Sequence, residues 1–232
     1  MIKEFIVNHF PSLGKYKRFW VAQRQSMSLI RDSYSQHRED AFIWQILQRY
    51  NLEGSVYIDI GANHPTDISN TYLLYRNGLR GLVVEPNREL LNLFSRFRKG
   101  DILLPIGCSN INAVMPFHVS KTPVVSSFEA ESAVNVYRTE YLPVMRADEA
   151  FSRFSFSFVN LFSIDVEGLN KEVLEGATET IKRSLIVCIE FDSPEEKKEI
   201  IQIMGEGFEL LQTFGCNMIF LNSLLAAKKL KQ

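Results

Sequence analysis

The feature that most constrains the fold is a series of short apolar segments that alternate with helical segments. The first three apolar segments are residues 56–60, 81–85 and 101–106, and helices predicted over residues 69–77 and 88–98 separate them. Such nearly continuous apolar runs are typical of strands that are buried on both faces. Strands and helices in this alternation predict a parallel sheet covered by helices on both sides.

The second half of the chain repeats the alternation. Residues 158–166 and 185–191 predict two more buried strands, with a helix over residues 171–183 between them and another over residues 195–205. Each strand-helix-strand unit of this kind adds a parallel neighbour to the sheet.

The end of the chain departs from this pattern. Residues 209–214 and 217–222 predict two short strands, and the turn between them contains Gly215. Strands joined by so short a turn form a hairpin, because a parallel crossover needs many more residues. The sequence therefore predicts an α/β fold in which a mostly parallel sheet is closed by an antiparallel last strand.

Between the two halves lies a polar insertion. Residues 113–119 predict a short strand, residues 120–146 are polar and contain Ser and Pro with one candidate helix at 129–137, and residues 148–154 predict a short helix. An insertion over the edge of a sheet often shapes a substrate site.

Size and charge limit the class of protein. The chain has 232 residues, of which 46% are hydrophobic and 23% charged, so it can bury the core of one soluble domain. Its 26 Lys and Arg residues against 27 Asp and Glu give a net charge of −1, which does not favour a nucleic-acid partner. No apolar run approaches the roughly 20 residues that span a bilayer, and no secretion signal is recognisable, so we expect a cytoplasmic location.

The N-terminal segment has a different composition. Residues 1–31 carry six basic side chains against the single acidic Glu4, with aromatic residues between them. Residues 40–50 follow with apolar side chains on one helical face. We predict a helical extension over residues 1–50, followed by the main domain over residues 51–232. The extension could serve as a lid, or contact a partner or a membrane surface.

Two positions at predicted strand ends favour a nucleoside-containing cofactor. Gly61 follows the first strand, and a glycine there lets the backbone turn sharply next to a ligand. Glu85 ends the second strand, where an acidic side chain can accept both hydroxyls of a ribose.

The residues after Gly61 narrow the choice of cofactor. A dinucleotide site needs further glycines and a helix that starts at once, and here His64-Pro65 follows instead. A pyrophosphate group would be poorly held. S-adenosylmethionine, which has a ribose but no phosphate, therefore fits these residues better.

The ordered motifs of the chain resemble those of the FkbM-type S-adenosylmethionine-dependent methyltransferases. The motifs are spread over most of the chain, at residues 34–36 with 39–40, 57–65, 69–72, 84–87, 164–168 and 174–177. The resemblance implies a Rossmann-like class I methyltransferase fold, with a seven-stranded sheet and a reversed last strand.

The resemblance also implies roles for individual residues. Asp59, Gly61, Ala62 and Asn63 would form the first cofactor motif at the methionine end of S-adenosylmethionine. The expected contacts with the rest of the cofactor are the ribose for Glu85, the adenine for Pro86 and Asn87, and the adenine edge for Cys108 and Ser109. Asp165 and Glu167 would lie near the transferred methyl group, as substrate contacts or as a general base.

The function that follows is O-methylation of a saccharide or small-molecule hydroxyl, with S-adenosylhomocysteine as the product. Two alternatives stay open at this stage. A nicotinamide-dinucleotide oxidoreductase could use the same sheet, and a catalytically idle binding module could keep the fold without turnover.

No metal site is predicted. Three widely spaced cysteines suit the core better than a zinc site or a disulfide. His37 and His64 have no partner at ligand spacing, which favours structural roles. Asp165, Glu167 and Glu190 could gather around Mg²⁺, but carboxylates at strand ends are common without a metal.

Overall fold

The computed structural model describes residues 32–50, 56–122, 125–154 and 156–229. Residues 1–31 of the predicted N-terminal extension lie outside the described residues, and so does the expected contact of that segment with a partner or membrane. The helix predicted over residues 40–50 is present at Glu39–Leu47. None of the described helices is long and apolar enough to cross a bilayer.

The described residues form eight helices and ten strands. The helices are α1 (Glu39–Leu47), α2 (Tyr72–Arg76), α3 (Arg88–Phe97), α4 (Ala147–Phe151), α5 (Asn170–Gly176), α6 (Thr178–Lys182), α7 (Pro194–Met204) and α8 (Ser223–Lys229). The strands are β1 (Val56–Ile60), β2 (Arg80–Val84), β3 (Ile102–Leu104), β4 (Gly107–Ser109), β5 (Ala113–Ser120), β6 (Val136–Arg146), β7 (Val159–Ile164), β8 (Ser184–Glu190), β9 (Phe208–Phe214) and β10 (Asn217–Asn222).

Seven of these strands form the main sheet, in the order β3-β2-β1-β7-β8-β10-β9. The pairs from β3 to β8 are parallel, whereas β10 runs antiparallel to both β8 and β9. This confirms the predicted Rossmann-like class I methyltransferase sheet with its reversed last strand. Helices cover both faces, and two apolar clusters form the core on either side of the sheet.

The register of the parallel strands decides which residues meet at the edge of the sheet. Ile60 lies opposite Val84 on one side and Ile164 on the other, and Ile164 lies opposite Ile189. Parallel strands end at the same edge, so the residues that follow them converge there. The converging residues are Gly61, Glu85, Asp165 and Glu190.

A second sheet, in the order β4-β6-β5, is built largely from the polar insertion. The helix predicted at residues 129–137 is wrong, since β6 begins at Val136 and pairs antiparallel with β5 over eight registered positions. The segment 136–146 is rich in aromatic and β-branched residues, which favour a strand as soon as a partner is available.

Some predicted helices have different bounds. The helix predicted over residues 171–183 is two helices, α5 and α6, with Ala177 between them. A Cβ atom on Gly176 would overlap the carbonyl oxygen of Ser109, so this end of α5 lies directly against β4. Helix α8 was not predicted.

A buried guanidinium joins β1, α3 and the loop before α2. Arg98 is 1% exposed, and its Nε donates to Asp101 Oδ2 at 2.8 Å. Its Nη1 donates to Thr71 Oγ1 at 2.9 Å and lies 3.9 Å from Asp59 Oδ2. The Thr71 hydroxyl in turn donates to Asp59, and the Tyr57 hydroxyl donates to Asp101 at 2.7 Å. One cation thus balances two buried carboxylates.

We expect Arg98→Met to lower the free energy of unfolding by about 3–5 kcal/mol, because it leaves buried carboxylates without their cation. Urea unfolding followed by circular dichroism measures this. Arg96→Met, two residues away in α3, is the matched control. Because Arg96 is exposed, this substitution should lower the free energy of unfolding by less than about 0.5 kcal/mol. Equal losses for the two variants would contradict a structural role for the buried cation.

Candidate functional site

A cleft of about 620 Å³, counting the space that opens to solvent, lies at the carboxyl edge of the main sheet. Its lining comes from the ends of β1, β2 and β7, from β4 and β5, and from the insertion. The lining residues are Ile60, Gly61, Asn63, Val84, Glu85, Pro86, Leu90, Ile106, Gly107, Cys108, Phe117, Ser126, Ser127, Phe128, Asp165, Val166, Glu167 and Leu169.

Gly61 allows the turn after β1 to approach the end of β7. Its φ of 72° lies in the left-handed region, and its N–H donates to the Val84 carbonyl at 3.0 Å. A Cβ atom at this position would overlap the carbonyl oxygen of Asp165. Only glycine satisfies both the backbone conformation and the close approach.

The Glu85 carboxylate faces the cavity from the end of β2. One oxygen accepts the Asn63 N–H at 3.0 Å, and the other accepts the Asn87 N–H at 2.7 Å. These bonds fix the plane of the carboxylate while each oxygen keeps a further lone pair. Burial raises the pKa of Glu85 to about 7, although the two backbone N–H groups oppose the shift.

Two residues of the predicted cofactor motif do not line the cavity. The Asp59 carboxylate accepts a hydrogen bond from the Thr71 hydroxyl and lies beside the Arg98 guanidinium. Burial raises its pKa, and Arg98 opposes that shift. Ala62 is packed in a small cluster with Val83 and Phe94. Gly61 and Asn63 of the same motif do line the cavity.

Of the four residues expected near the adenine, two line the cavity and two do not. Pro86 and Cys108 line the cavity. Asn87 is instead the N-cap of α3, where its side chain accepts the Glu89 N–H at 3.0 Å. Ser109 is buried against Gly176 of α5.

The two predicted catalytic carboxylates both line the cavity. Asp165 continues the β7 ladder through its N–H, which donates to the Ile60 carbonyl at 3.0 Å. Burial raises the pKa of Asp165 well above its usual value, and the neighbouring Glu190 raises it further. The pKa of Glu167 is raised by partial burial and by Glu190.

The insertion supplies a wall that sequence reasoning did not identify residue by residue. Phe128 packs on Phe117 with ring centroids 4.8 Å apart, and a Cβ on Gly107 would lie 2.6 Å from the Phe128 ring. Ser127 Oγ donates to the Glu167 carbonyl at 2.9 Å. This wall is an irregular loop, so no periodic pattern marks it. The run Ser126-Ser127-Phe128 in a polar insertion was the only available signal.

His37 and His64, the two histidines near the predicted motifs, both make structural contacts. His64 is buried, and its Nδ1 accepts the N–H groups of Thr66 at 3.3 Å and Asp67 at 3.0 Å. Burial lowers its pKa to about 4, so the ring is neutral at physiological pH. His37 packs against Gly215 in the turn between β9 and β10. Within the described ranges, no three His, Cys, Asp or Glu side chains form a group that could hold a metal ion.

The turn after β1 does not lead into a helix. Helix α2 begins only at Tyr72, after the buried loop that contains His64 and Thr71. The N–H groups of a helix N-terminus, which bind a pyrophosphate in dinucleotide sites, are therefore not available beside Gly61. A cavity with the Glu85 carboxylate in its wall, and without a helix N-terminus beside Gly61, fits an adenosyl ligand without phosphates.

Two comparisons with known proteins found matches to this chain. The Methyltransferase FkbM domain matches residues 59–214. Among solved structures, a TehB-like SAM-dependent methyltransferase from Corynebacterium glutamicum ATCC 13032 is 13% identical, with a TM-score of 0.46, over 90% of this chain and 97% of that one. A search of curated proteins found no match.

We expect Gly61→Ala to lower the free energy of unfolding by more than about 3 kcal/mol, because the new methyl group overlaps a backbone oxygen that cannot move independently. Gly78→Ala is the matched control, because Gly78 also has a positive φ, 96°, but no atom within 4 Å of the added Cβ. That control should lose only about 1–2 kcal/mol for its backbone conformation. Urea unfolding of both variants makes the comparison, and equal losses would show that the close approach is unimportant.

Proposed function

Because the chain belongs to the FkbM methyltransferase family, we propose that its cavity binds S-adenosylmethionine and that the enzyme methylates a hydroxyl oxygen of a saccharide or another small molecule. The observation that carries this proposal is the Glu85 carboxylate. It is held by two backbone N–H groups at the cavity wall, next to the glycine turn after β1.

The adenosine end of the ligand suits the residues around Glu85. The remaining lone pairs of its carboxylate can accept the two ribose hydroxyls. Apolar side chains of Leu90, Ile106 and Phe117 line the cavity nearby and suit the faces of an adenine ring. When bound, S-adenosylmethionine supplies an electrophilic methyl group on a sulfonium.

Asp165 is our candidate for the proton acceptor in the reaction. A hydroxyl oxygen that gains a methyl group must lose its proton, and a carboxylate with a raised pKa takes up such a proton more readily at neutral pH. Glu167 is assigned to orienting the acceptor, because it is the more exposed of the two carboxylates.

The charges of the lining favour an acceptor without phosphate or carboxylate groups. Among the residues that the structure describes, the lining contains Glu85, Asp165 and Glu167 but no Lys, Arg or His side chain. An anionic acceptor would meet like charges without a compensating cation. A neutral polyol such as a saccharide meets hydrogen-bond acceptors instead.

The direct test is calorimetric titration with S-adenosylmethionine, S-adenosylhomocysteine and NAD. We expect micromolar affinity for the two adenosyl ligands and none for NAD, after which acceptors can be screened by formation of S-adenosylhomocysteine. NAD binding would favour the oxidoreductase. Binding of the adenosyl ligands without turnover on any hydroxyl acceptor would favour an idle module.

We expect Glu85→Ala to weaken the binding of S-adenosylhomocysteine by about 1.5–3 kcal/mol, because it removes charge-assisted hydrogen bonds to the ribose. Glu89→Ala is the control, since Glu89 is exposed in the first turn of α3 and does not line the cavity. Calorimetry gives both affinities. If Glu85→Ala bound like the wild type, the ribose assignment would be wrong.

The Glu85 carboxylate should also make the affinity for the ligand depend on pH. Ribose hydroxyls donate to the ionised form of Glu85, and its pKa is about 7. We therefore expect the affinity for adenosine, which has no group that titrates in this range, to rise as the pH increases through 7. The rise should disappear in Glu85→Ala. An affinity that is flat with pH in the wild type would show that Glu85 does not bind the ligand as an anion.

A further inference from the structure

Two carboxyl groups meet at the ends of β7 and β8. Ile164 and Ile189 lie opposite each other, so Asp165 and Glu190 are also neighbours across the two strands. Glu190 lies close enough to Asp165 to raise the pKa of the Asp165 carboxyl. Two buried carboxyl groups side by side do not readily ionise together, because their charges repel each other. The two residues are therefore placed so that one proton can be shared between them.

Only one residue of the pair contacts the cavity. Asp165 lines the cavity, whereas Glu190 does not. Glu190 Oε1 instead accepts a hydrogen bond from Cys216 Sγ at 3.0 Å, at the turn between β9 and β10. Burial and Glu190 raise the pKa of Cys216 to about 12, so the thiol keeps its proton and remains a donor. Cys216 thus holds the Glu190 carboxylate at a position outside the cavity lining, next to Asp165 on the neighbouring strand.

The charges around the pair are all negative. Asp165 faces Glu190, Glu167 and Asp59, and Glu190 also faces Asp192 and Glu196. In the parts of the chain that the structure describes, no Lys or Arg forms an ion pair with either member. The ammonium of Lys197 lies over the Phe191 ring, 5.0 Å from its centroid.

We propose that Asp165 and Glu190 act as one proton-sharing pair whose single negative charge recognises the sulfonium of the methyl donor, with Glu190 as the positioning residue. This inference rests on the proposed function. It distinguishes the donor from its product, because S-adenosylhomocysteine has an uncharged thioether at the same place. The pair should therefore bind the donor more tightly than the product.

The charges also balance over the reaction. The pair starts with one negative charge beside a cation. It then takes up the proton that the acceptor hydroxyl loses as its oxygen forms a bond to the methyl carbon and the carbon–sulfur bond breaks. The pair ends neutral beside an uncharged thioether. The pair and the sulfur of the bound ligand together carry no net charge at either stage, which avoids adding an uncompensated charge to a partly desolvated site.

The test is the ratio of the affinities for S-adenosylmethionine and S-adenosylhomocysteine, measured by calorimetry between about pH 5 and about pH 8.5. Titration of Glu85 and of the amino-acid groups common to both ligands affects the two alike, so the ratio isolates the sulfonium. In the wild type we expect the preference for S-adenosylmethionine to grow by about tenfold as the pair gains its negative charge.

Glu190→Gln should move this rise to lower pH, because it replaces a carboxyl that opposes ionisation of Asp165 with an amide that donates to it. Cys216→Ala should move the rise to higher pH, because it removes a donor to the ionised pair. Glu179→Gln is the matched control, since Glu179 pairs with the surface Lys182, and it should keep the wild-type curve.

The outcomes distinguish failure of the sulfonium assignment from failure of the proposed function. If S-adenosylhomocysteine binds but the ratio does not change with pH, the sulfonium assignment is wrong and the proposed function stands. The same conclusion follows if Glu190→Gln and Cys216→Ala both reproduce the wild-type midpoint. If neither adenosyl ligand binds to the folded wild-type protein, the proposed function fails as well. Should Glu190→Gln not fold, the direction of the Cys216→Ala shift decides alone.

Discussion

The buried guanidinium of Arg98 fixes the part of the sheet on which the candidate site is built. It lies between Asp59 of β1 and Asp101 of the loop before β3, and it also binds Thr71 just before α2. A charge that is buried to this extent is stable only when its partners are held in place, so these three segments are positioned relative to one another. Gly61 follows Asp59 by two residues and makes the close approach to Asp165. The geometry of the cavity therefore depends on an ion cluster that does not contact it.

This arrangement gives the carboxylates of the first two strands different roles. Asp59 and Glu85 both belong to motifs at strand ends, and the sequence predicted a cofactor contact for each. Alternate side chains of a strand point to opposite faces, so a strand end offers both a buried partner site and a cavity-facing position. Asp59 is bonded to Thr71, which is distant in sequence, and this pairing cannot be derived from the motif alone. Glu85 comes after the end of β2, where its carboxylate meets only backbone N–H groups and the cavity.

The main sheet could be predicted because its strands are buried on both faces and leave a continuous apolar signal, as at Ile186 and Val187 of β8. Its reversed strand was equally visible in the short turn at Gly215. In the second sheet, β5 corresponds to the strand predicted over residues 113–119, but β6 gave no such signal, because it is largely exposed and its strand conformation comes from pairing with β5. The same holds for the cavity wall at Phe128, which is fixed by ring packing on Phe117 and by the absence of a side chain at Gly107. Contacts of this kind between distant segments are not encoded in any local pattern.

The carboxyl groups of the cavity connect its function to its stability. Glu85 has a pKa of about 7 in the folded protein against 4.5 for the isolated side chain, so between these values the folded state holds a proton that the unfolded state has lost. Stability therefore falls as the pH rises through this window, by on the order of 3 kcal/mol for this group alone. Asp165 shifts in the same direction, and burial is the largest cause for both. A ligand that donates hydroxyls to one carboxylate and brings a cation to the other reverses these penalties. The ligand-free protein is thus least stable at the pH at which the ligand would bind best, and binding of the ligand should stabilise the strand ends that form the cavity.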